Sequence, residues 1–510
     1  MTAGGEEPVF VRAPGLGLAL VDLADGSVKG GYVLPSDLSP AEAAAAIAKL
    51  TVGNLSDHGP YDNTPHSDFI EFLVRELSKM GGQRKPRQYA SQPAPNLPAA
   101  GWAGRSFTDP HSIPDASIDW NGIESKFPSL GLTLRRRGRD GGLLAGLGSV
   151  SVFEVLDLNQ KVVAEGKGCS DEAARQSALG ETVERLVAQQ LSPGSLFISS
   201  ADDLSRIGLR TPALAARSGD LFAPSTLGEW VSALTFDGVE GAMPAELAFY
   251  PFSPASGIKL FSHQHTSGLG AGASPAQASL AGLRECIETD CYWLSMRTRR
   301  LCGSFDLANL ADDLISPIIH YLTEGGIEVH AGLINYDWPI SVVHVVLETQ
   351  SESLPALAHG LGSGSNHRQA LQRALLEAMQ VYSGLEKVCL SYWPEIAVGL
   401  KPTADPALVW AARSSIPRIT AMFTNAPRLD PTGSFGAQPT DAAGLLNHIA
   451  DRNMTAWRTS LGSMGGLHVE CVLIDGAISP FSERDGPSKR LQTFLDASGL
   501  RDAYLDPILT

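Results

Sequence analysis

Glutamates three residues apart on a helix present two carboxylates side by side, and this chain has that arrangement twice, at Glu181 with Glu184 and at Glu285 with Glu288. Unpaired, such charges repel. Divalent cations relieve the repulsion, and magnesium in particular takes carboxylate oxygens together with substrate phosphates. A third acid, Glu377, has Gln380 three residues on. All three glutamates sit on one ruler: a Gly-x-Gly, a helix-capping residue two positions later, and the glutamate thirteen residues past the second glycine. The copies are Gly166-Lys-Gly168 with Ser170 and Glu181, Gly270-Ala-Gly272 with Ser274 and Glu285, and Gly362-Ser-Gly364 with Asn366 and Glu377. Arg185 and Arg373 add guanidinium groups suited to phosphate.

The ruler predicts three helix starts. Ser170, Ser274 and Asn366 are N-cap types, Pro275 suits a first helical position, and Gln277 and Gln369 stand where a capping box places Gln or Glu. Glycines ahead of each helix permit positive φ, so a turn exposing free amides to an anion is the expectation. Ala174, Ala278 and Ala370, then Leu179, Leu283 and Leu375, supply a buried stripe. One Glu-x-x-Glu alone is most often a solvated face. A purely architectural repeat would explain glycine, cap and leucine, but not the acids. The glutamates are 104 and 92 residues apart, far beyond the roughly 20–50-residue period of solenoids.

The 510 residues suggest two to four domains at about 150 residues each. Hydrophobic residues make up 43% and charged residues 18%, ordinary for a folded globular chain. The net charge of −16 argues against broad nucleic-acid binding. Arg135-Arg-Arg137 with Arg139 reads as a solvated basic turn rather than a binding patch. Six scattered cysteines form no Cys-x-x-Cys, so no structural zinc is expected. No signal segment or spanning run stands out, so the cytoplasm is the expected compartment and no membrane association is expected.

Residues 1–83 form a small α+β module, with strands near Gly17–Ala24 and Gly31–Leu34 and helices from Ser39 to Leu50 and Ser67 to Met80. Residues 84–114 are a Pro/Gly-rich linker. Residues 115–485 alternate strands (149–156, 161–164, 327–334, 340–348, 468–474) with helices, the pattern of an α/β fold. Helices are expected at 441–451 and, in a C-terminal segment 486–510, near 489–495.

Three segments together resemble the YcaO family of ATP-dependent peptide-backbone-modifying enzymes. The stretch from Gly166 to Arg185, with Ser177, Glu181, Glu184 and Arg185, is similar to the family's first ATP/magnesium helix. Thr266-Ser-Gly-Leu-Gly-Ala-Gly272 through Glu285 and Glu288 resembles its second motif, and Gly360-Leu-Gly-Ser-Gly364 through Arg373, Glu377 and Gln380 its third. The resemblance spans about residues 110–480. It implies a YcaO-type ATP-binding fold, with ATP and Mg as cofactors. Glu181, Glu184, Glu285, Glu288 and Glu377 are the implied magnesium residues. Ser177, Arg185, Arg373 and Gln380 are the implied nucleotide or phosphate contacts, and Ser117 matches a serine near the nucleotide. Three departures stand in the second motif: Thr289 where Glu-Arg-Asp is usual, Ser267 where asparagine is usual, and Gln277 where glutamate is usual.

The activity implied is ATP-dependent activation of backbone amides in a ribosomally made precursor peptide. Cyclodehydration of Cys, Ser or Thr to thiazoline or oxazoline is favoured over thioamide formation with an external sulfur source, and a non-catalytic scaffold of a modification complex is the third reading. The end, Leu-Asp-Pro507-Ile-Leu-Thr510, departs from the Pro-x-Pro-x-Pro tail common in azoline-forming members. With no fused E1-like domain, an E1-like or other leader-peptide-binding partner is expected, docking on residues 1–83, and a homodimer is left open. A dinucleotide-binding oxidoreductase would rest on Gly268-Leu-Gly-Ala-Gly272, whose spacing is not GxGxxG.

Overall fold

The computed structural model describes residues 9–13, 17–21, 28–32, 118–137, 150–190, 196–213, 222–254, 259–261, 264–351, 355–396, 416–429, 442–478 and 489–498. Ser117, Arg139, the expected helices at 39–50 and 67–80, and the linker segment lie outside them. The chain divides into two units, Met1–Gln92 and Pro93–Thr510. In the first, β1 (Val9–Ala13), β2 (Gly17–Val21) and β3 (Val28–Tyr32) form an antiparallel meander in that order.

The second unit is a mixed α/β body. In chain order its elements are α1 (Trp120–Ser125), β4 (Thr133–Arg136), β5 (Ser151–Leu156), β6 (Val162–Gly168), α2 (Asp171–Ala188), β7 (Leu196–Ser199), α3 (Ala201–Arg206), β8 (Gly228–Thr235), β9 (Glu240–Pro244) and α4 (Ala245–Ala248). Then come β10 (Leu269–Gly272), α5 (Pro275–Thr298), β11 (Gly303–Phe305), α6 (Ile315–Glu324), β12 (Ile327–Leu333), β13 (Ser341–Thr349), β14 (Leu357–Gly364) and α7 (His367–Ile396). The rest are α8 (Ile416–Thr424), β15 (Arg428–Leu429), α9 (Ala442–Asp451), β16 (Ala456–Met464), β17 (Leu467–Ile474) and α10 (Lys489–Ser498). They build three sheets, ordered β4-β5-β6, β10-β17-β16-β8-β7 with β9 on β8, and β14-β13-β12-β11-β15. Pairing is antiparallel except between β11 and β15, because successive strands are mostly joined as hairpins rather than through crossover helices.

The ruler is a strand–cap–helix unit: β6 with α2, β10 with α5, β14 with α7. The caps form as expected, with Ser170 Oγ accepting from Ala173 N at 3.1 Å, Ser274 Oγ from Gln277 N at 3.2 Å, and Asn366 Oδ1 from Gln369 N at 2.9 Å. The glycines correct the expectation of an anion-binding turn. All six Gly-x-Gly glycines end strands rather than turns, and none has positive φ. Their missing side chains admit a helix backbone instead. A Cβ on Gly166 would stand 2.0 Å from Ala178 N, one on Gly270 2.2 Å from Ala278 O, and one on Gly362 2.4 Å from Ala370 O. The aligned alanines are the other half of that contact, with Ala174, Ala278 and Ala370 fully buried.

Alternate strand residues face opposite ways, so each glycine-edged strand turns its other face to a different helix. Besides resting on its own strand, α2 lies against β10, α5 against β14, and α7 against β6. The three units thus close a ring, which brings the helices that carry the acids together although about a hundred residues separate each consecutive pair in sequence.

Candidate functional site

The acids of the three helices share one electrostatic environment. Glu285 of α5 feels Glu184 and Arg185 of α2, its own neighbour Glu288, and Glu377 of α7. Glu181 also feels Glu377, as does Glu288. These five carboxylates line a half-buried recess, where loss of water disfavours charge. Burial first, then the Glu184 and Glu288 charges, holds the Glu285 carboxyl well above the usual range. Burial pushes Glu184 up to about 7, with Arg185 pulling it down and Glu181 pushing it further up. Burial likewise raises Glu288, reinforced by Glu377, and raises Glu181 against the opposing pull of Arg185 and Lys167.

The cations are arranged around them. Arg185 Nη2 reaches Glu181 Oε1 at 3.4 Å, one helical turn away. Arg373 lies exposed one turn before Glu377 and donates from Nη1 to the Ser363 carbonyl at 3.0 Å. Ser177, also exposed, stands one turn before Glu181 on α2. Gln380 donates from Nε2 to Glu165 Oε2 at 3.0 Å. Ser117 lies outside the described residues.

Four residues of this neighbourhood have no place in the sequence-based list. Lys167, the middle residue of the first Gly-x-Gly, donates from Nζ to Glu377 Oε2 at 2.8 Å, and its charge also reaches Glu181 and Glu288. Strand alternation signals this, since Lys167 must point away from the helix its flanking glycines admit. Glu165 shares that face and meets Gln380, so β6 and α7 join in two rungs, Glu165–Gln380 and Lys167–Glu377. Arg284 lies near Arg373 and Glu288, and burial and the Arg373 charge lower its value while Glu288 raises it. Arg137 corrects the reading of a solvated basic turn: its side chain is 4% exposed and clamped to Glu154 and Glu165. Arg135 pairs with Glu154 as well, and Arg136 with Asp171.

Two of the three second-motif departures touch each other. Ser267 Oγ and Thr289 Oγ1 are hydrogen-bonded at 2.7 Å, so the two unusual residues satisfy each other's hydroxyls. The neighbouring Asp290 is structural. Fully buried, it accepts from Trp338 Nε1 at 2.7 Å, Ile478 N at 2.8 Å and Arg490 Nη2 at 2.7 Å, which fastens α10 to α5.

Several carboxylates drawn into a recess where water does not compensate their charge are a donor set for hard divalent cations. Arg185 Nη1 is buried with no hydrogen-bond partner, an unmet donor that an anion at the same place would satisfy. Carboxylates and guanidinium donors side by side fit a magnesium-bound polyphosphate.

A family model for YcaO cyclodehydratases, described as ATP- and Mg2+-binding, matches residues 165–477. An uncharacterised protein of Methanothermobacter thermautotrophicus is 29% identical over 217 residues, which are 42% of this chain and 56% of the relative, so the match spans little more than half of that protein. Among solved structures, a heterocyclase in complex with substrate and cofactor superposes with a TM-score of 0.61 at 17% identity, over 79% of this chain and 59% of that one. YcaO from Methanopyrus kandleri, bound with AMPPCP and Mg2+, gives 0.53 at 18% identity over 72% and 94%. The E. coli microcin synthetase McbBCD complex gives 0.53 at 13% identity over 67% and 86%. These structures share the fold, and with its family model covering well over half its length, this chain belongs to the YcaO family, whose domain binds ATP and Mg2+.

Proposed function

We propose that the three-helix recess binds Mg·ATP and that the protein uses it to activate backbone amides of a precursor peptide, with cyclodehydration of Cys, Ser or Thr to azolines as the reaction. The observation that carries this is the convergence of Glu181, Glu184, Glu285, Glu288 and Glu377 from three helices onto one place edged by Arg185, Lys167 and Arg373. Bound ATP supplies a phosphoryl group to the amide oxygen after a nucleophile has added to the carbonyl, and magnesium neutralises the charge of that transfer.

The protein's own groups divide that work. The five glutamates hold the metal, and the raised values of Glu181, Glu184, Glu285 and Glu288 mean that metal binding displaces protons from these four. Arg185, Arg373 and Ser177 meet the nucleotide at the edge of the recess. Lys167 balances Glu377. Residues 1–83 serve as a docking module for the partner that recognises the leader peptide. The heterocyclase with bound substrate and the McbBCD complex support a peptide substrate and partner proteins in this fold.

Mass spectrometry of a co-produced precursor peptide tests the reaction. Loss of one water per modified residue is the expected result. Exchange of oxygen for sulfur would mean thioamide formation instead. ATP consumption that requires precursor and disappears in Glu181→Ala is expected of an enzyme, and its absence in the unmodified protein would leave a scaffold.

A further inference from the structure

Gln380 is held at both ends by one arginine. Arg137 Nη1 donates to the Gln380 carbonyl oxygen at 3.0 Å and to Ser383 Oγ at 2.7 Å. Its Nε donates to Glu154 Oε1 at 2.6 Å, and its Nη2 pairs with Glu165. Glu165 in turn accepts from the side-chain amide of Gln380, Nε2 to Oε2 at 3.0 Å. Arg137 therefore grips the backbone of Gln380 directly and its side chain through Glu165.

This grip decides which end of the amide is left over. A carboxylate paired with a guanidinium is ionised and can only accept, so the amide nitrogen is committed to Glu165 and the amide oxygen turns away from it. Gln380 lies one turn beyond Glu377 on α7. The donors around the recess, Arg185 and Arg373, suit phosphate oxygens; Gln380, turned this way, does not.

We infer that Arg137 and Glu165 are positioning residues that set Gln380 to offer a hydrogen-bond acceptor to the recess, so that its partner is a donor rather than a phosphate oxygen. Two donors accompany a magnesium nucleotide: a hydroxyl or amino group of the nucleoside, and a water bound to the metal. The inference rests on the three-helix recess being the nucleotide site, and it replaces the expectation of a phosphate contact at Gln380.

A swap of the two partners tests it. In the double variant Glu165→Gln with Gln380→Glu, the amide nitrogen introduced at position 165 donates to the carboxylate introduced at position 380. The amide oxygen at 165 still accepts from Arg137, and position 380 still presents an oxygen to the recess. Isothermal titration with Mg·AMPPCP should show Gln380→Leu weakened about threefold to tenfold, the worth of one neutral hydrogen bond, with the swap recovering most of that loss. Arg137→Lys should weaken binding to a similar degree, and adding Gln380→Leu to it should cost nothing more, whereas a merely structural arginine would give additive losses. Thermal melts confirm that each variant is folded. The same titration with Mg·tripolyphosphate separates the sources: a loss that persists assigns the donor to metal-bound water, and a loss confined to the nucleotide assigns it to the nucleoside. A swap as weak as Gln380→Leu, an unweakened Gln380→Leu, or additive losses with Arg137→Lys overturns the inference. Binding by the unmodified protein, abolished in Glu181→Ala, tests the underlying reading separately, so a failed swap alongside normal wild-type binding removes the inference alone.

Discussion

Replacing Gly166 by alanine tests the ring closure with a single methyl group. The new Cβ would stand 2.0 Å from Ala178 N and 2.3 Å from Ala174 O, where ordinary contact begins at 3.4 Å. Both obstacles are helix backbone, so no side-chain rotation relieves them, and α2 must retreat from β6 by about 1.0–1.4 Å to reach the 3.0–3.4 Å range. Overpacking of this kind costs about 1–3 kcal/mol. The larger consequence is at the recess, because α2 carries Glu181, Glu184 and Arg185, and metal–ligand distances tolerate only about 0.2 Å. The expected result is a protein that still folds, melts lower, and has lost Mg-dependent AMPPCP binding. Gly180→Ala is the matched control on the same helix: nothing lies within 4 Å of its Cβ position, and a helical glycine replaced by alanine gains about 0.5–1 kcal/mol. Thermal unfolding with and without Mg2+, paired with nucleotide titration, reads both effects. If Gly166→Ala binds Mg·AMPPCP as the unmodified protein does, the glycines are not what brings the acidic helices together.

Three further outcomes are expected. Asp290→Ala leaves the Arg490 guanidinium, 7% exposed, with Asp337 as its remaining carboxylate and strips Trp338 Nε1 and Ile478 N of their acceptor, so it should cost about 1–3 kcal/mol in chemical denaturation followed by tryptophan fluorescence; no measurable loss would show that α10 is not held by this contact. Glu470 of β17 is 1% exposed, and burial pushes it up to about 7 from 4.5, against the pull of Ser460 and Arg458. Its folded value exceeds its unfolded one, so the stability it contributes is full below 4.5 and disappears as pH rises through about 7. Glu470→Gln should therefore stabilise the protein at pH near 8 by up to about 3 kcal/mol and change little at acidic pH; equal effects at both would contradict the burial argument. Deleting residues 1–83 should leave Mg·AMPPCP titration unchanged while precursor modification in the presence of its partner protein falls, and unaltered modification would remove the docking role.

Much of the local structure was legible in the chain itself. The caps at Ser170, Ser274 and Asn366, the helices they begin, and the strands at 327–333 and 341–349 follow from residue type and period, which act over a few neighbours. The glutamates of the second motif and the arginine beside the first were legible as chemistry, because like charges one turn apart call for a counter-ion. The glycines were misread at the same scale: a local rule offers a positive-φ turn, while their actual use, admitting the Ala178, Ala278 and Ala370 backbone, depends on a helix several residues on folding back.

Sequence alone determined three acidic helices, their starts and their family resemblance. Tertiary structure decided that the three share one recess, because each glycine-edged strand offers its second face to another unit's helix and the ring closes only in three dimensions. It also decided the partners of charge. Arg137 looks like one of three consecutive surface arginines and is instead a buried clamp on Glu154, Glu165 and Gln380, and Lys167 looks like a spacer between glycines and is the cation on Glu377. Residue type and local period say what a side chain can bond, but for groups some 200 residues apart only the folded arrangement of strands and helices selects the partner, because burial is what makes the pairing necessary.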